Sequence, residues 1–288
     1  MLSRFISLGL CTTACLAAQL DVLQAEVATA KATGNQWFYF PTHDEPATPA
    51  TWGFQYQETN FTSKDGTSLH AWLIQNRGKE AKGTVVFSHG AAGSMGHHLG
   101  FVMWLAEAGY HVLIYDYRGY GKSKGHVSRR GLVDDAKAAL QFVASHPDLK
   151  TKPIISYGHS LGGAKSLAAL AESKINNLRA VVVDSSFSSY RNMAYQIGGE
   201  LGRSLVSDDL SPISAIAKIS PIPLLVIHGE KDPLVPASEG TRLFRAAKKP
   251  KTLYLVENGH HGDALARDDG AYRKQMLAWL EIQLGVLP

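Results

Sequence analysis

The sequence predicts an α/β protein: a mostly parallel central sheet with helices on both faces and a short lid. Three observations lead there. Short apolar runs of strand length alternate with segments of helical periodicity from about residue 52 to the end. The strand runs are apolar throughout rather than alternating, as expected of strands buried on both faces. A hairpin signal, Asp65-Gly66, lies between the first two strand-like stretches, so the sheet opens with an antiparallel pair.

In order, Trp52 to Phe61 and Leu69 to Gln75 read as the hairpin strands, and Thr84-Val85-Val86-Phe87 as the first buried strand. Leu99 to Glu107 is helical, and His111 to Tyr115 is the next strand. Leu132, Val133, Ala136, Leu140 and Val143 recur at helical spacing, and Pro147 follows the end. Pro153 to Tyr157 is a strand, Ala164 to Glu172 a helix rich in Ala and Leu, and Ala180 to Val183 another strand. Leu224 to Ile227 and Thr252 to Val256 supply two more, and Tyr272, Met276, Trp279, Leu280 and Leu284 mark a closing amphipathic helix. Residues 185–220 are the least regular part. Rich in Ser, with Gly198-Gly199, they read as a lid too small to be a separate domain.

The bulk numbers fit one soluble domain preceded by a short segment: 288 residues, 45% hydrophobic and 19% charged. A net charge of +4 from scattered basic residues gives no stripe for nucleic acid. Both cysteines, Cys11 and Cys15, precede the domain, which excludes a disulfide, a catalytic cysteine or a zinc-binding cysteine within it. Residues 1–20 read as a targeting segment: Arg4, then an uncharged run from Phe5 to Ala18, shorter than a comfortable membrane span. Thr12-Thr13-Ala14 before Cys15 is similar to a bacterial lipoprotein signal, with Thr12 where Leu is usual. A lipid anchor on Cys15, a cleaved exported form and an uncleaved anchor all stay open, and each places the protein outside the cytoplasm, periplasmic or membrane-anchored. Residues 21–50, with Pro41, Pro46 and Pro49, read as a tether, and residues 51–288 as the folded domain.

The chemistry is carried by Gly158-His159-Ser160-Leu161-Gly162, a G-x-S-x-G pattern with an apolar strand running in and an Ala/Leu-rich helix running out. Such a turn lifts a serine hydroxyl clear of the sheet at a helix N-terminus, where negative charge is favoured. The same pattern recurs at Gly121-Lys122-Ser123-Lys124-Gly125, without the flanking strand and helix, so Ser123 is not expected to be a nucleophile. A phosphate loop is excluded there because Asp116 stands where that motif needs Gly. Ser160 needs a base, and the base an orienting acid. Asp232 follows the Leu224–Ile227 strand, and the adjacent pair His260-His261 follows Thr252–Val256. His260, directly after Gly259, is preferred to His261. Asp184 is a rival acid, and Asp263 is expected to cap the following helix. For the developing oxyanion the expected donors are the N–H of Leu161 and that of Ala91 in His89-Gly90-Ala91-Ala92-Gly93, each contributing about 3–4 kcal/mol in the transition state.

Those two glycine-flanked loops, with Asp116-Tyr117-Arg118-Gly119-Tyr120-Gly121-Lys122-Ser123, His228–Pro236 and Gly259–Asp263, together resemble the serine aminopeptidase-like branch of the α/β-hydrolase superfamily. That branch includes monoacylglycerol-lipase-like, bud-emergence-type and palmitoyl-thioesterase-like serine hydrolases. The resemblance spans about residues 50–285. It implies the α/β-hydrolase fold, a Ser160, Asp232, His260 triad, and Ala91 and Leu161 as oxyanion donors. It makes the Asp116–Ser123 loop architectural. The expected activity is cleavage of a small acyl ester or thioester with no metal or cofactor. An aminopeptidase or amidase, and a non-catalytic acyl-binding protein, are the alternatives. Chain length of the acyl group, leaving group and oligomeric state are not legible.

Overall fold

The computed structural model describes residues 37–285 except Lys79. The targeting segment, both cysteines and the first part of the expected tether lie outside the described residues.

Eight strands form one sheet. β2 (Tyr56–Thr62) and β3 (Ser68–Ile74) are the antiparallel hairpin, followed by β4 (Thr84–Ser88) and β6 (His111–Tyr115). β7 (Ile154–His159), β8 (Leu178–Asp184), β9 (Leu224–Gly229) and β10 (Lys251–Val256) complete it. The spatial order is β10-β9-β8-β7-β4-β6-β3-β2. All neighbours are parallel except β2 with β3 and β3 with β6. A further short parallel pair, β1 (Phe40–Pro41) with β5 (Ala92–Gly93), stands apart.

This order positions the site. From β4 the chain moves outward to β6, then returns across β4 to β7 and proceeds the other way to β10. The order therefore reverses between β4 and β7, and the loops leaving their carboxyl ends face a common crevice. Helices fill both faces. Leu132 and Leu140 from Arg129–Ser145 and Leu167 from Leu161–Ala171 pack on one face. Val102, Leu105, Met276 and Leu280 pack on the other.

Local differences from the sequence reading have identifiable causes. Ser128 and Ser189 each accept a backbone N–H of the following turn, from Gly131 and Asn192, and so start helices earlier than the apolar spacing indicates. Within the expected lid, Tyr190–Leu205 is a helix broken at Gly198 and Gly199, with Tyr195, Ile197 and Leu201 exposed. The helix Ala237–Ala246 was not anticipated, because its apolar stripe is thin.

The described part of the expected tether is packed rather than free. Phe38 and Tyr39 belong to the core, and the ring of Phe38 meets that of Tyr190 edge-on at 5.2 Å. Proline breaks regular elements but does not prevent burial, and within the aromatic run Trp37–Phe40 it is Phe38 and Tyr39 that supply the buried apolar surface.

Candidate active site

Ser160 sits between β7 and the helix Leu161–Ala171 with φ 53° and ψ −117°. A non-glycine residue with positive φ is held by its surroundings at a cost of about 1–3 kcal/mol. Here the surroundings are unusually tight. A Cβ on Gly162 would fall 1.8 Å from the Ser88 carbonyl oxygen, and one on Gly158 would fall 2.5 Å from that of Gly162. The two glycines let strand and helix meet at this angle, and the Ser160 N–H is tied to the Asp184 carbonyl at 2.8 Å.

Asp232 and a histidine meet beside this turn, and the histidine is His261. Its Nδ1 lies 2.8 Å from Asp232 Oδ2. The other carboxylate oxygen accepts the N–H groups of Leu234 at 2.9 Å and Val235 at 2.8 Å. Burial raises the Asp232 carboxyl, but hydrogen bonds from His228, His261 and Val235 outweigh it and hold the group well below the ordinary carboxylate range. The carboxylate is therefore ionised and only accepts, so Nδ1 of His261 carries the proton in this bond. The His261 ring stands 5.0 Å from that of His159, the residue immediately before Ser160.

The preference for His260 is corrected. Its N–H donates to Asp263 Oδ1 at 2.6 Å, its Nδ1 accepts from the Arg267 guanidinium at 2.6 Å, and its side chain points to the solvent side with 47% exposure. The Asp263 side chain binds back to His260 and forward to Arg267, closing a turn that leaves His261 facing Asp232. The expected capping role of Asp263 is replaced by this turn, since its side chain makes no cap bond to the next helix. Gly259, which favoured His260 in the sequence, serves a different need: a Cβ on it would lie 3.0 Å from Gly229 Cα, so β9 and this loop touch.

Asp184 belongs to other partners. It accepts from Tyr157 at 3.1 Å and Ser185 at 2.9 Å, and its Oδ2 lies 3.5 Å from His159 Nδ1. Ser123 is structural: its Oγ donates to the Asp116 carbonyl at 2.7 Å and accepts the His70 N–H at 2.8 Å.

Leu161 is the first residue of its helix, so its N–H has no intrahelical partner. The Ala91 segment lies against the same turn: a Cβ built on Gly90 would be 3.8 Å from Ser160 Cβ. Both candidate donors therefore belong to backbone that borders Ser160.

Sequence reasoning missed the imidazoles that line this crevice. His98 donates from Nδ1 to the Ser94 carbonyl at 3.0 Å, and burial pushes its pKa down to about 4. His89 is wholly buried, and burial followed by the nearby His98 lowers it well below the ordinary value. His159 is lowered by burial as well. All three are neutral near pH 7 and give the crevice weakly polar walls without added charge. The His97-His98 pair carries no motif, so nothing in the sequence marked it. Among the described residues no group of three or more His, Cys, Asp or Glu side chains could hold a metal ion.

A reversed strand order, a serine on a strained strand-to-helix turn and an Asp–His pair at the ends of the last two strands define a hydrolase of the α/β class, and the chain belongs to the α/β-hydrolase superfamily. The family described as serine aminopeptidase, S33, matches residues 79–212. An Escherichia coli K12 relative, the uncharacterised protein YfhR, is 38% identical over 85% of this chain and 86% of its own. The WAV2 α/β-hydrolase domain-containing protein of Arabidopsis thaliana is 32% identical over 82% of each chain. In structure, the Pyrococcus furiosus esterase Pf2001 superposes with a TM-score of 0.70 at 23% identity, covering 85% of this chain and 97% of its own. At that identity the superposition establishes the shared fold.

Proposed function

We propose that this hydrolase cleaves carboxylic esters or thioesters through an acyl-enzyme on Ser160. The observation that carries the reading is the 2.8 Å bond between His261 Nδ1 and Asp232, which leaves the Nε2 lone pair of His261 free to act as a base. In this reading His261 takes the hydroxyl proton as Ser160 Oγ attacks the acyl carbon. Asp232 keeps the ring in the working tautomer and stabilises its cationic form. The carbonyl oxygen becomes an oxyanion facing the N–H groups of Leu161 and Ala91. His261 then returns the proton to the departing alkoxide or thiolate. Water, deprotonated by the same imidazole, releases the acid and frees the serine. No step draws on a metal or cofactor.

The Pyrococcus neighbour is an esterase, which supports ester chemistry over amide cleavage in this reading. The charge-free targeting run before Ala18 supports action outside the cytoplasm, with the N-terminus as the means of export or attachment. The test is labelling with a fluorophosphonate probe, followed by a series of p-nitrophenyl esters set against matching anilides. Labelling abolished by Ser160→Ala, with esters turned over and anilides not, is the expected result. Equal labelling of the Ser160→Ala variant overturns the nucleophile assignment. Faster cleavage of anilides would move the protein to the amidase class.

A further inference from the structure

The N–H of Ala91 cannot stabilise an oxyanion unless it is aimed, and its aim is set by the carbonyl of its own peptide and, across the Ala91 Cα, by the peptide that follows. Peptide units are planar and trans, so a pinned carbonyl fixes the N–H across the same bond. The Gly90 carbonyl, which shares a peptide with the Ala91 N–H, accepts from His89 Nδ1 at 2.8 Å. The Ala91 carbonyl accepts twice, from the Phe40 N–H at 2.9 Å and from the Tyr120 hydroxyl at 2.8 Å. Two residues further on, the Thr42 N–H reaches the Gly93 carbonyl at 3.4 Å.

Phe40 contributes through its backbone, since its side chain is 56% exposed. What anchors it is the residue before. Tyr39 is buried, and its hydroxyl accepts from Lys165 Nζ at 3.0 Å. Lys165 is fully buried on the helix that begins directly after Ser160, and its Nζ also donates to the Arg129 carbonyl at 3.2 Å. One short stretch therefore bonds on one side to the loop holding Ala91 and on the other to the helix holding Leu161.

From these contacts we infer that Phe38–Thr42 is a strap that positions the Ala91 N–H relative to the nucleophile turn, with Tyr39, the Phe40 N–H and the Tyr120 hydroxyl as its positioning groups. It lies wholly ahead of the residues matched by the family, 79–212. Catalytic competence of the domain thus depends on chain that precedes it. The inference rests on the acyl-enzyme reading above.

The experiment compares Phe40→Pro, which deletes the donating N–H, with Phe40→Ala, which keeps it and removes only exposed side chain. Tyr120→Phe deletes the second donor. Rates are measured with a p-nitrophenyl ester and normalised to active sites titrated by the fluorophosphonate. Loss of an oxyanion donor lowers kcat by about 100- to 1000-fold, so a misaimed one is expected to lower it about tenfold in Phe40→Pro and about threefold in Tyr120→Phe. KM stays within about twofold, and Phe40→Ala matches the parent protein. A merely structural strap would reduce the fraction of titratable sites and the melting temperature while kcat per site held constant, and that result overturns the inference. If Phe40→Pro does not fold, Tyr120→Phe decides alone, and an unchanged kcat per site overturns it. Failure of the parent protein to label at Ser160 is a separate result, which refutes the acyl-enzyme reading instead.

Discussion

Two loops of this protein carry the same five-residue pattern, Gly121–Gly125 and Gly158–Gly162, and the fold uses them in opposite ways. In the first, the serine hydroxyl is consumed inward: Ser123 Oγ bridges the Asp116 carbonyl and the His70 N–H. Its leading glycine is needed because a Cβ on Gly121 would collide with the Asp116 carboxylate at 1.9 Å. In the second, backbone is what is consumed: Gly162 presses on Ser88, Gly158 on Gly162, and the Ser160 N–H on Asp184. A glycine-flanked serine thus says only that backbone comes close to something. Whether that something is a neighbouring strand end or a folded-back loop is decided by what enters and leaves the pattern.

Substituting each serine by alanine separates the two most sharply. Ser160→Ala is expected to lower ester turnover by at least about 10⁴-fold with little loss of stability, since it removes the attacking atom. Esterase activity surviving in that variant would make the two loops indistinguishable. Next in size is the choice between adjacent histidines: His261→Ala should lower kcat by about 10⁴-fold, while His260→Ala stays within about threefold of the parent. The reverse result would mean that the Asp263 turn rearranges when substrate binds.

A smaller effect distinguishes the surroundings of the serines. His98, near Ser160, has its pKa depressed to about 4 from 6.5 in the folded protein. Between those values the unfolded chain binds a proton that the folded one does not, so stability falls as pH drops from about 6.5 towards 4, by up to about 3 kcal/mol from this group. Melting temperatures across that range should fall less steeply in His98→Asn, and an unchanged slope would remove His98 from the account. Smallest of all, Ser123→Ala should leave kcat within about twofold yet cost about 1–3 kcal/mol in denaturant unfolding, because the buried His70 N–H loses its acceptor.

The parallel sheet and the strand-to-helix turn at Ser160 were legible because both rest on local patterns: apolar runs of strand length, and glycines at two fixed offsets from Ser160. Asp232 was legible because strand order alone puts its loop at the right edge. The choice between His260 and His261 was not, because one residue of rotation in a turn is set by a side-chain bond from Asp263 and by Arg267 four residues further on. Reading Asp263 as a partner for the turn preceding it, instead of a cap for the helix following it, would have pointed to His261. Phe38 and Tyr39 were passed over because prolines marked the segment as a tether, and the partners that bury them come from residues as distant as Lys165. The helix Tyr190–Leu205 was hidden by Gly198-Gly199, where the chain departs from helical geometry midway.

The strand order has a consequence for synthesis. Of the three groups that would share the proton transfer, the nucleophile turn follows β7 in the interior of the sheet, whereas the histidine follows β10, the edge strand and the last to leave the ribosome. A growing polypeptide can complete the Ser160 elbow before the His261 imidazole, the base of the proposed reaction, has been made. On the acyl-enzyme reading, chemistry at Ser160 therefore waits until the final strand docks.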